Sequence, residues 1–328
     1  MEDLALLRTE FIFDQCPFAS CHASTVAETP GGLVAAWFGG PREFHPQVGI
    51  WLSRHDGNRW SSPVEVANGV QYTKGNGQPA RFASWNPVLH QVPDGPLMLF
   101  YKVGVSPQTW WGMLMTSSDH GSSWSQPVRL PEGILGPIKN KPLQFADGTL
   151  LCPSSTETTM ATGWRVHFER TEDFGGTWSR TEPINPGEPF GAIQPSLLVH
   201  PGGKLQAVGR TQLAKRIFST WSEDGGHTWS EMELLDLPNP DSGTDAVTMR
   251  DGRHVIIYNH CTSGRSPINL ALSTDGRNWK TVLELERNEE GELSYPAIIQ
   301  SSDGLLHATY TWKRQRIRHV VVDPSRLG

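Results

Sequence analysis

Five times along this chain a Ser- or Thr-led stretch enters an Asp-containing turn and lands on a tryptophan. The copies run Ser53 to Trp60, Ser117 to Trp124, Thr171 to Trp178, Ser222 to Trp229 and Ser273 to Trp279. Their aspartates, Asp56, Asp119, Asp173, Asp224 and Asp275, recur roughly every fifty to sixty residues. A repeat of that period with strand-like flanks describes units that cannot bury an apolar face alone and must stack on their neighbours.

Each unit has one plan. A first strand meets a glycine turn, a second apolar strand returns, a third enters the Asp turn and a fourth follows the tryptophan. Glycine turns stand at Gly31–Gly32, Gly95, Gly148, Gly202–Gly203, Gly252 and Gly304, which makes six strand pairs for five Asp turns. The last unit ends after a third strand near Ile317 to Val322, and the apolar stretch Leu6 to Phe13 has no unit of its own. Lending that stretch to the last unit ties the ends together and removes exposed edges. The expected fold is all-β: a six-bladed β-propeller, residues 1–328 forming a single domain, with the last blade closed by the N-terminal strand. Thirteen tryptophans, 33 glycines and 25 prolines suit many short strands and tight turns.

Within the repeat, Asp and Gly serve the turn and Trp fills space between blades, so the Asp turns read as structural rather than catalytic. Chemistry is expected where first strands begin and second strands end, around the mouth of the central channel. Counted blade by blade, that selects His22, Arg42, Glu43 and His45; Asn86 and Lys102; Lys139 and Glu157; Gln194 and Arg210; Asp245, Asn259 and Arg265; and Tyr295 with the basic run 313–316, of which Lys313 is taken forward. The run also reads as a solvated loop, and Trp110–Trp111 reads either as a rim for a sugar ring or as blade packing. The set is rich in cations although the chain carries a net charge of −6. A basic funnel on an acidic molecule suits a small anion, and arginine suits a carboxylate.

The Asp turns and these strand-end residues resemble the sialidase (neuraminidase) superfamily, with its bacterial neuraminidase repeats and Asp boxes, over essentially the whole chain. The resemblance implies a carboxylate-binding arginine set, a tyrosine paired with a glutamate, and an acid/base in the first-blade loop. By position, arginines fall on Arg210 and Arg265 and the tyrosine on Tyr295. His22 stands where the family carries the arginine of its Phe/Tyr-Arg-Ile-Pro motif, and Gln194 stands for the glutamate. Glu43 and His45 are the proton carriers of the first loop. The implied activity is exo-acting hydrolysis of a terminal acidic sugar, sialic acid-like or uronic. Arg210 and Arg265 would hold the carboxylate with Arg42 or His22, Tyr295 would sit at the reaction centre, and Glu157 or Asp245 would be the base. Asn86, Lys102, Lys139, Gln194, Asn259 and Lys313 are the remaining candidate binding residues. Two alternatives stay open: a lyase acting on a uronate with His22 or Tyr295 as base, and a non-catalytic carbohydrate-binding propeller.

Other classes find no support. The acidic charge argues against nucleic acid. No apolar run reaches the roughly 20 residues of a membrane span, and the first residues lack a basic start and an apolar signal core, so the expected location is cytoplasmic without membrane contact. Cys16, Cys21, Cys152 and Cys261 are read as thiols. No metal or cofactor motif is present: there is no CxxC, HExxH or GxxxxGK[ST].

Overall fold

The computed structural model describes residues 4–158 and 163–328. Six four-stranded antiparallel sheets follow one another along the chain as blades of a propeller. Blade I runs Ser20–Thr29, Gly32–Gly40, Gly49–His55 and Val64–Ala67, and the same order repeats in blades II to V, which begin at Ala83, Leu143, Ala192 and Asp245. Blade VI takes Leu293–Gln300, Leu306–Trp312 and Arg316–Val322 and receives its outer strand from Leu6–Phe11, with Thr9 opposite Val320 and Phe11 opposite Arg318. The expected closure by the N-terminal strand is therefore found. A two-stranded hairpin, Val70–Thr73 with Pro79–Arg81, is added between blades I and II. Among the described residues no helix is long and apolar enough to cross a membrane.

The Asp turns hold themselves together. Asp224 accepts from the backbone N–H of His227 and Thr228 and from the hydroxyls of Ser222 and Thr228, while Gly226 N–H donates to Ser222 Oγ at 2.8 Å. Asp119, Asp173 and Asp275 repeat the arrangement. These bonds favour the ionised carboxylate and hold each below its usual value, led by Ser123 for Asp119, Thr177 for Asp173, Thr228 for Asp224 and Asn278 for Asp275. The following tryptophan leans on the preceding blade: Trp229 stacks on Phe168 at 4.1 Å and 13°, and Trp178 meets Phe100 edge-on at 6.3 Å. These turns are structural, as their composition suggests.

At the mouth end of the inner strands the chain departs from regular pairing. Register shifts fall between His22 and Thr25, Trp85 and Val88, Ile193 and Ser196, and Ser294 and Ala297. At each shift one non-glycine residue is left-handed: Ala23 (φ 55°), Asn86 (35°), Gln194 (57°) and Tyr295 (49°). Proline follows the last three, and its missing N–H suits a residue skipped by the ladder. The bulge therefore re-aims a side chain at the same point in four blades, and in blade VI that side chain is Tyr295.

The axis beneath is tied by side chains. Lys139 Nζ donates to Asn140 Oδ1 (2.8 Å), Thr244 O (3.0 Å) and Pro296 O (2.6 Å), joining blades III, V and VI. Asn140 donates to the carbonyls of Gln194 and Pro195. Asp245 accepts from Lys141, Ser196 Oγ and Ile298 N–H. Converging inner strands bring unpaired backbone carbonyls to the axis, and buried polar groups must find partners.

Candidate active site

Tyr295 is the focus of the mouth. Its hydroxyl accepts from Arg210 Nη2 at 2.8 Å. The Arg210 guanidinium lies 5.2 Å from the Tyr295 ring centre and 4.8 Å from that of Trp164, and the Arg265 guanidinium lies 5.6 Å from the Tyr295 ring. Gly243 makes this packing possible: a Cβ there would meet Lys139 Cε at 2.9 Å and Tyr295 Cδ2 at 3.3 Å. His22 packs against the phenol with ring centres 4.2 Å apart, and its Nδ1 bonds Thr311 Oγ1 at 2.9 Å. Burial first, then the positive charges of Arg314, Arg265 and Arg210, hold its imidazole well below the usual histidine value. It is therefore neutral at neutral pH and cannot stand in for an arginine as a cation.

The third arginine is Arg314. It sits in the turn after the second strand of blade VI, with φ of 60°, and its carbonyl accepts from Cys21 N–H at 2.8 Å, which fixes the turn beside His22. Its guanidinium pairs with Glu292 through Nε and with Glu43 through Nη1 at 2.6 Å. Glu292 also reaches Arg265 at 3.4 Å and lies 3.9 Å from His22. Of the two residues counted in that run, Lys313 and Arg314, Lys313 turns instead to Glu290 at 3.6 Å. Strand counting cannot tell adjacent turn residues apart; the bond from Cys21 decides which one faces inward.

The funnel is not a surplus of positive charge. Arg210 meets Asp241 at 3.3 Å, Arg265 meets Glu292, and Arg314 meets Glu292 and Glu43. Asp241 and Glu292 come from the links between blades, which the strand-based reading passes over. Asp241 was legible only as an Asp following Asn239-Pro240, a turn signal in which Asn239 caps the N–H groups of Asp241 and Ser242. Glu157 feels the charge of Arg210 and is half-buried, without a hydrogen-bond partner among the described residues. Burial raises it, against the pull of Arg210 and with the push of Asp241 and Glu43. Asp241 is raised too, by burial against Arg210, Arg265 and Lys215. Two carboxyls shifted upward by burial thus lie near the arginine that touches Tyr295.

Several candidates are placed elsewhere. Lys102 is fully buried and donates to the Pro137 carbonyl; burial draws its ammonium down to about 7. Lys139 and Asp245 belong to the axial ties, and Lys139 is likewise drawn to about 7 by burial. Asn259 donates to Pro267 O and Leu293 O with no exposure. Asn86 donates to Ile138 O across blades. Each of these five bonds backbone groups of nearby strands or links. Gln194 is 2 % exposed and its Oε1 has no partner, while its backbone N–H bonds Ser155. Arg42 is exposed with no ion pair among the described residues, and His45 Nδ1 caps Gln47 N–H in the same loop. Tyr295, Arg210, Arg265, His22, Glu43 and Glu157 are the candidates brought together.

Solved structures with this architecture carry sialidase names. The chain superposes on an intramolecular trans-sialidase from Ruminococcus gnavus in complex with oseltamivir carboxylate, at TM-score 0.76 and 14 % identity, covering 99 % of each chain. The NanB sialidase of Streptococcus pneumoniae gives 0.75 and 13 %, over 98 % of this chain and 71 % of that one. A Dyadobacter fermentans protein of unknown function gives 0.78 and 17 %, over 98 % and 100 %. No curated protein matches by sequence. Residues 31–308 match the family model described as a BNR repeat-like domain. With its Asp boxes and six blades of sialidase-like fold, the chain belongs to the BNR repeat-like domain family.

Proposed function

We propose that the protein is an exo-acting glycoside hydrolase of the sialidase-like type that removes a terminal acidic sugar, sialic acid-like or uronic. The observation that carries this reading is the bond from Arg210 to the Tyr295 hydroxyl with Arg265 above the same ring. Arginine forks suit a carboxylate, and a tyrosine beside them is a known departure from paired-carboxylate glycosidases. Arg210, Arg265 and Arg314 hold the sugar carboxylate, which displaces part of the Asp241, Glu292 and Glu43 contacts. Glu157, whose acid form is favoured by burial, gives its proton to the leaving oxygen as the glycosidic C–O bond breaks. Tyr295 Oη bonds to the anomeric carbon or stabilises its positive charge, its proton leaving to solvent, and water then releases the sugar. The sialidase and trans-sialidase names of the fold relatives support sugar chemistry of this kind.

A panel of fluorogenic sialosides and uronosides tests the reading. Turnover by the wild type that is lost in Tyr295→Phe with binding retained supports it. No turnover and no binding of any acidic sugar ends it, and binding without turnover assigns the propeller to the carbohydrate-binding class.

One pair of observations favours a second reading. His22 is neutral and packed on Tyr295, while Gln194 cannot take a proton. In a uronate lyase the arginines neutralise the carboxylate and His22 or Tyr295 removes the C5 proton. The C4–O bond then breaks to leave a C4=C5 alkene. Ultraviolet absorbance of that conjugated product separates it from hydrolysis.

A further inference from the structure

Two cavities lie among the loops that supply residues to the mouth. Between blades II and III lies one of about 220 Å³, walled by Trp110 and Trp111, by Thr109 of the mouth loop, by Arg129 and Arg180, and by Glu157. Across the mouth, beside blades V and VI, lies one of about 750 Å³ lined by Arg265, Arg287, Glu289 and Glu292. From their chemistry we propose that the tryptophan-walled cavity receives the sugar ring on the leaving-group side of the scissile bond. The proposal rests on the glycosidase reading above and adds to it where the rest of the substrate lies.

Position comes first. Glu157 belongs to the cavity wall and to the mouth, since Arg210, Asp241 and Glu43 all act on its charge. A general acid must come within hydrogen-bond reach of the leaving oxygen, so the group attached to that oxygen lies on the Glu157 side. The carboxyls of the opposite cavity are placed differently, Glu289 being exposed. Its Glu292 is ion-paired with Arg265 and Arg314 at once, and no aromatic residue lines it.

The wall chemistry agrees. Trp111 is half-buried, with the Arg129 guanidinium over its ring at 4.9 Å and Phe82 at its edge. Arg180 is steadied by the Gly133 carbonyl at 2.9 Å. Flat indole beside guanidinium and hydroxyl groups matches a pyranose, which offers an apolar C–H face and a girdle of hydroxyls. The volume lies below the roughly 300–1,000 Å³ of drug-sized sites, and it suits one ring.

Titration calorimetry decides the matter, with N-acetylneuraminic acid against 3′-sialyllactose, and glucuronic acid against a glucuronyl disaccharide. The wild type is expected to bind the longer member of the productive pair about tenfold more tightly. Trp111→Ala and the surface variant Arg129→Ala should each lose most of that margin and leave the monosaccharide affinity unchanged. Arg129 is more than half exposed, so its removal spares the fold if the tryptophan variant does not. A margin kept in Arg129→Ala and in folded Trp111→Ala, or no margin in the wild type, overturns the subsite while monosaccharide binding leaves the central reading standing. No binding of either acid by the wild type overturns both.

Discussion

Arg210 and Tyr295, 85 positions apart, meet at 2.8 Å through Nη2 and the phenol oxygen. The contact joins blade IV to blade VI over the axial ties, and Asp241 on the other side of the guanidinium keeps it from turning away. Because Arg210 is buried while Asp241 is about a third exposed, Arg210→Ala leaves a partly hydrated carboxylate behind. We expect a loss of about 1–3 kcal/mol in stability, below the value for a fully buried pair. Binding of acidic sugars should fall far more than binding of neutral ones. Thermal melts and calorimetry on the two sugar classes measure these separately.

Glu157 predicts a basic limb in the rate profile. Burial raises it above the usual 4.5, so it stays protonated to higher pH, and activity that needs the acid falls as pH rises through the raised value. Arg210 opposes that shift, so a charge-removing change at Arg210 moves the residual limb further up. Glu157→Gln should lower turnover by about 10²–10⁴-fold and flatten the limb. An unchanged profile would exclude Glu157 as the acid.

The closing seam predicts acid sensitivity. His307 Nδ1 lies 3.0 Å from His319 Nε2, and His319 Nδ1 lies 2.9 Å from Glu10 of the N-terminal strand. Burial first, then His319, lowers His307 from 6.5 to about 4. Between those values the unfolded chain binds the proton and the folded one does not, so stability is full above about 6.5 and is lost as pH falls toward 4. The loss is about 3 kcal/mol at most. Denaturant melts across that window should slope in the wild type and slope less in His307→Gln.

Removing the N-terminal strand tests closure. A chain lacking residues 1–11 leaves the Arg316–Val322 strand as an open edge and strips Phe11 from between Arg318, at 3.8 Å, and Trp312, at 5.2 Å. We expect a lowered melting temperature and self-association through the freed edge, read by light scattering. A monomer with unchanged melting would refute the closing role.

The Asp-box tryptophans should matter to stability and not to chemistry. Trp229→Ala removes the stack on Phe168, and since Trp229 is only partly buried the cost should sit at the low end of ~3–5 kcal/mol. At a temperature where the variant is folded, its turnover should equal that of the wild type. A specific loss of kcat would contradict the structural assignment.

The blades were legible in the chain because their signals are local: an Asp turn, a glycine turn and alternating strands specify a blade without knowledge of its neighbours. The same locality exposed Tyr295 ahead of Pro296, Arg210 at the end of a second strand, and Leu6–Phe11 as an unpaired strand. Strand counting ends there, because it gives the height of a residue along a blade and not its depth toward the axis. Lys139, Asp245 and Asn259 share the right height with Tyr295, yet six converging inner strands bury carbonyls and N–H groups that claim them. Conversely Asp241 and Glu292 lie in links, where side-chain direction has no period. Ring closure alone set them against the arginines and the phenol, since the charges that pair there are strangers in sequence until the last strand docks.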